Sequence, residues 1–248
     1  MTTIAVRLEG FSALAASLGQ QARQIPFAAS QALNATARSV RTATLAEMAA
    51  NFDRPTPLVM KSLFITPATK AKLQASVYLK DREIGGKNSR SMAEIIGHQF
   101  AGGTRLRKRM ENAFTDAGLI GLGEYLVPGP DAKLDQYGNL SRGQTQQIYA
   151  ALRLFRDPYQ NATQSARSRR NAKAAGRIRW SDGKGANKLR RGLWATDARG
   201  FPKLLLLAIP TPVYRRRIDM DKQVAAIVAS EFDAHFDAAL KKALATAR

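Results

Sequence analysis

The chain has 248 residues, with 39 lysines and arginines against 19 acids, a formal charge of +20 and no cysteine. That composition excludes disulfides, thiolate chemistry and cysteine-based zinc or iron–sulfur sites, and it favours anionic partners. Hydrophobic residues make up 45%, enough for a sizeable core, while aromatics at 7% offer little surface for stacking on bases.

Ile4, Val6 and Leu8 alternate with Thr3, Ala5, Arg7 and Glu9, which predicts a short strand ended by Gly10. FSALAASL, 11–18, predicts a short helix closed by Gly19. Residues 20–52 predict one long helix, because Leu33, Ala37, Val40, Thr44 and Met48 form a helical stripe. Pro26 is tolerated only near its start, and DRPTP at 53–57 stops it. KSLFITPA and AKLQASVYLKD read as strands, the second with Leu73, Ala75, Val77 and Leu79 alternating. DREIGGKNSR is a turn or loop. MAEIIGHQFAGG fits a strand or a short helix. TRLRKRMENAFTDAG predicts a helix with Leu106, Met110 and Phe114 on one face and Gly118 as its end signal. EYLVPG predicts a strand, and Tyr137-Gly138-Asn139 a turn. Ser141 caps the next helix with Gln144 as capping-box partner, and Ile148, Leu152 and Phe155 face inward.

Residues 156–189 are polar, basic and poor in large apolar side chains. Such a segment buries too little surface to offset ordering, about 1–2 kcal/mol per residue for backbone alone, so a mobile arm or a long hairpin is expected there. RRGLWATD and PKLLLLAIP predict two strands joined around 197–201. The last helix is capped by Asp219 or Asp221, with a stripe of Val224, Val228, Phe232, Phe236, Leu240 and Leu244, widened by Ile227. Helices and strands do not alternate regularly. The expected fold is α+β: an antiparallel sheet packed by a long N-terminal and a C-terminal helix, as a single domain over 1–248, with a basic flexible insertion at 156–189.

Catalytic patterns are missing. No GxSxG or HExxH occurs, GKGAN at 183–187 lacks phosphate-loop spacing, and GLGEYLVPG at 121–129 lacks GxGxxG. His98 reads as a core or edge residue. His235, in DAHFD, reads as part of a solvated helix face, pointing away from Asp233 and Asp237. No enzyme activity, cofactor or metal is expected. The start, MTTIAVRLEG, lacks a secretory-signal pattern. The longest aliphatic run, LLLLAI at 204–209, is six residues where a membrane helix needs about 20. The chain is therefore expected to be soluble and to have no membrane partner.

SARSRRNAKAAGRIRW, 165–180, holds six arginines and lysines and no acid. Arg167, Arg169, Arg170, Lys173, Arg177 and Arg179 are candidate contacts to DNA or to an acidic protein. Arg105 and Arg107, in the basic stretch after Gly102-Gly103, are candidate contacts to a neighbouring subunit. Trp194, beside Gly192, suits an interface anchor or a core position equally.

Several stretches, in order, resemble the minor tail protein Z or tail-completion family of long-tailed bacteriophages and prophages. They are IPFAASQALNATA at 25–37, FDRPTP at 52–57, KLQASVYLKD at 72–81, AGGTRLRKRMENA at 101–113, VPG at 127–129, LDQYGNLSRGQTQQI at 134–148, RRGLWA at 190–195 and PTPVYRRRI at 210–218. The resemblance implies a structural virion protein at the tail top or neck, present in the host cytoplasm during assembly. It implies a hexameric ring of identical copies that joins head to tail through the tail terminator or tube protein and the head connector, with phage DNA in the channel. A nucleic-acid-binding protein using the basic arm is the alternative, favoured by charge but lacking a zinc finger, an RNP-type motif or a basic-zipper pattern. A virion-associated hydrolase is a third reading.

Overall fold

The computed structural model describes residues 3–7, 24–80, 90–161, 165–175, 177–184 and 189–245. The helix expected at 11–18 and most of the loop at 81–90 lie outside them. In chain order the elements used below are β1 (Thr3–Arg7), α1 (Ile25–Asn51), α2 (Pro57–Met60), β2 (Leu63–Thr66), β3 (Gln74–Leu79) and α3 (Met92–Ala101). They continue with α4 (Arg109–Asp116), β4 (Glu124–Pro128), α5 (Arg142–Ala151), α6 (Ala166–Ala175), β5 (Arg179–Ser181), β6 (Gly192–Thr196), β7 (Pro202–Pro210) and α7 (Met220–Ala245). The architecture is α+β with antiparallel sheets. The sequence suggests one domain; the chain groups into two compact units, 1–105 with 214–248 and 106–213, each with its own hydrophobic core.

The first unit is built on α1. Pro26 sits in its first turn, and Phe52 turns extended three residues before Pro55. One face is buried from Ala28 through Leu33, Ala37, Val40 and Thr44 to Met48. Its small side chains let α7 lie along it, and Thr44 Oγ1 stands 2.9 Å from Gln223 Oε1 across the pair. The sheet runs β1–β3–β2, with Ala75, Val77 and Leu79 of β3 buried. Asn34 clasps the loop between β2 and β3: its Nδ2 donates to Ala68 O at 3.0 Å and its Oδ1 accepts from Ala68 N at 2.7 Å.

MAEIIGHQFAGG resolves as helix α3, because Ser91 and Glu94 form a reciprocal capping box. Asp219, of the two candidate caps, accepts from Lys222 N at 3.0 Å and starts α7. Most of the expected α7 stripe is half-buried, but Leu244 is 40% exposed and Ala243 is buried in its stead. His235 belongs to the half-buried face, contrary to the solvated position expected: its Nδ1 lies 3.2 Å from Thr36 Oγ1.

The second unit is a four-stranded antiparallel sheet in the order β4–β7–β6–β5. Phe114 of α4 and Ile148 of α5 pack on one face, with Leu126, Leu193 and Leu206. A bulge at Leu193/Trp194 explains the LLLL run. Leu205 and Leu206 are both buried, while Leu204 and Leu207 turn to the other side. Gly192 is required here, since a Cβ would come 2.3 Å from Leu206 O.

Two expectations change in this unit. Helix α4 begins at Arg109, so Leu106 lies outside it and is 49% exposed. The basic segment holds a helix, α6, and its end is part of the sheet, because β5 pairs with β6. The insertion therefore stops before Arg177. Charge averaged over the segment hides Ile178 and Trp180, which pack on the core; Trp180 meets Phe114 edge-on at 5.7 Å.

Candidate functional site

Residues 153–203 contain fourteen arginines and lysines against three acids, whereas 106–152 contain five of each. The three acids serve their own turns. Asp157 Oδ1 accepts from Tyr159 N, and Asp182 Oδ1 from Lys184 N. Asp197 Oδ1 accepts from both Arg199 N and Phe201 N, at 2.9 Å each, and its other oxygen lies 4.0 Å from Lys203 Nζ.

Ser165 Oγ accepts from Ser168 N and opens α6, which carries Arg167, Arg169 and Arg170 exposed. Lys173 lies in the same helix. The chain then enters β5. Arg177 O accepts from Thr196 N, and Arg179 pairs directly with Trp194. Both arginines are exposed. Among the described residues no carboxylate lies within ion-pair distance of Arg167, Arg169, Arg170, Arg177 or Arg179.

Trp194 takes neither extreme of its two expected positions. It is half-buried on the sheet face away from Phe114, with Nε1 donating to Arg190 O at 2.9 Å. Beside it the 197–201 hairpin turn, with Gly200 at φ +88°, holds out Arg199 and a Phe201 that is 64% exposed. Sequence reasoning missed both of these. The signal was Asp197 followed by Gly200, a turn pattern between two strands.

Arg107 is a correction. Its guanidinium donates to Gly121 O, Leu122 O, Glu111 O and Thr115 Oγ1 and lies 5.6 Å from the Tyr125 ring centre. Its guanidinium is thus committed to acceptors within the second unit, where a solvent-facing contact residue was expected. Arg105 is half-buried and adds positive charge near His98. Burial first, then Arg105 and Arg217, keep that imidazole below its ordinary pKa. His98 is half-buried, its ring 4.7 Å from that of Tyr214 and its Nε2 2.8 Å from Gln99 Nε2, while its Nδ1 is buried with no hydrogen-bond partner among the described residues.

Two further groups were not legible in the sequence. Glu111 is buried; Oε1 accepts from Leu126 N and Oε2 from Lys108 N, tying α4 to β4. Arg191 forks onto Glu124 at 2.7 and 2.9 Å and donates to Leu119 O. That hydrogen-bonded pairing lowers the Glu124 pKa and raises that of Arg191.

Among the described residues no group of three or more His, Asp or Glu is placed to hold a metal ion, and no helix is long and apolar enough to cross a membrane. No family model, curated protein or solved structure matches this chain. The arrangement from α6 to β7 offers field and contact: uncompensated cations around half-buried apolar side chains attract an anionic surface over a Debye length, about 8 Å at physiological salt.

Proposed function

We propose that this chain is a non-enzymatic structural protein of a long-tailed phage or prophage, a tail-completion or neck subunit that joins head to tail. Copies assemble into a closed, six-fold ring through heterologous contacts. One side meets the tail terminator or tube protein and the other the head connector, around a channel through which DNA passes. The observation that carries this reading is where the ordered family-like segments fall. IPFAASQALNATA is the buried first half of α1, and KLQASVYLKD contains the central strand β3. VPG ends β4 with Gly129 pressed on Leu204, and RRGLWA holds β6 with Gly192 pressed on Leu206. In LDQYGNLSRG, Asp135 Oδ1 accepts from Tyr137 N and Asn139 N, and Ser141 caps α5. These segments form framework in both units.

Electron microscopy of particles made without this protein tests the proposal. Filled heads beside finished, unattached tails are expected; normal particles would overturn it. The uncompensated cations of 153–203 favour a second reading, nucleic-acid binding. Under that reading the isolated chain binds duplex DNA at physiological salt, with a log–log salt slope of about −0.9 per phosphate contacted. Failure to bind, with the chain present in virions, favours the first.

A further inference from the structure

The second unit's sheet is apolar on both faces, yet helices α4 and α5 cover one. Directly paired residues of antiparallel strands share a face. The row Trp180–Leu193–Leu206 points into the core with Phe114. The row Arg179–Trp194–Leu204 points the opposite way, and so do the pairs Leu207–Val127 and Ile209–Tyr125. Val127, Trp194, Leu204, Leu207 and Ile209 are half-buried and belong to neither hydrophobic core. A sheet that faces water on one side normally places polar residues there. A contiguous apolar patch with a charged rim marks an interaction site.

We propose that this outer face docks a protein partner whose contact surface has an apolar centre and an acidic rim. Two features select that occupant. The accessible centre is aliphatic, Val127, Leu204, Leu207 and Ile209, while Tyr125 on the same face is buried with the Arg107 guanidinium over its ring; that centre offers little to hydrogen-bond or stack along a nucleic acid, whose phosphates would be desolvated against it. The rim is basic: Arg179 stands in the outer row, Arg190 holds Trp194 through its carbonyl, and both are exposed. A second copy laid on this face would oppose like charges, whereas an acidic rim neutralises them and fixes register. Trp194, at the boundary of apolar centre and charged rim, is the residue type enriched where interfaces hold tightest. This inference stands on strand pairing and side-chain chemistry and does not depend on the virion reading.

The test uses the full chain and three labelled probes of equal charge: an alternating Glu–Leu peptide, polyglutamate and oligo(dT). Fluorescence anisotropy is expected to show the Glu–Leu peptide binding about tenfold more tightly than either other probe. Leu207→Thr, on the centre, and Arg179→Glu, on the rim, should each weaken it about tenfold with the cooperative melt retained. Arg179 is exposed, so that variant decides the matter if Leu207→Thr fails to fold. Polyglutamate or oligo(dT) binding as tightly as the Glu–Leu peptide would overturn the proposal. So would binding indifferent to Arg179→Glu, or a solution mass revealing a dimer that Leu207→Thr abolishes.

Discussion

The two units solve the same burial problem with different materials. The first closes its core between two long helices and a three-stranded sheet, and its helices meet through alanines and threonines. The second closes its core with two short helices on one side of a four-stranded sheet and leaves the other side apolar and ringed with cations. Polar staples supplement that core: Glu111 to the β4 backbone, the Arg107 fork, and the Glu124–Arg191 pair. The first unit invests in packing and the second keeps a surface free for contact. The proposed docking face therefore belongs to the second.

Both tryptophans, Trp180 and Trp194, lie in the second unit, so indole emission reports it alone. Leu33→Asp places an unpaired charge in the first core and should unfold that unit. Far-ultraviolet circular dichroism should fall while indole emission holds; joint loss would show that the units stand or fall together. Phe114→Ala should destabilise the second unit by about 3–5 kcal/mol and red-shift Trp180, with the helical signal of α1 and α7 retained. Arg107→Ala should cost about 1–3 kcal/mol in the same melt, since carbonyls lose a charged donor. Unchanged stability with weakened partner binding would return Arg107 to the contact surface.

Acid sharpens the contrast. Glu124 is held below its usual pKa of 4.5, first by the Arg191 hydrogen bond. Its stabilising contribution is complete above that value and disappears as pH falls through the lower folded one. Glu124→Gln should lower stability at neutral pH and flatten its decline in acid, read from indole emission against pH; an unchanged slope would mean the pair does not carry the acid sensitivity. The smallest effect is expected from Arg167→Ala, within about 0.5 kcal/mol, because that side chain is exposed and unpaired among the described residues.

Much of the fold was legible. Pro26 and Pro55 bounded α1, the alternation in QASVYL fixed β3, and Asp219 and Ser141 started their helices. What escaped depends on partners distant in the chain. Gln144 looks like a capping-box residue, yet its Oε1 accepts from Lys133 N instead. The bulge that splits LLLL between two faces is invisible until β6 is alongside. Of the candidate contacts, those at 167–179 were legible as charge without opposing acid. Arg107 was misread for the same reason: the acceptors it serves are backbone carbonyls, which no count of side chains reveals.

Adhesion through the outer face of the second unit is what we propose this chain does. Hydroxyl-radical footprinting of the chain within purified particles, compared with the free chain, tests it most directly. Strong protection of Trp194, Leu204 and Leu207 on assembly is expected. Equal labelling of those side chains in both states would contradict it; absence of the chain from the particles would instead overturn the virion reading.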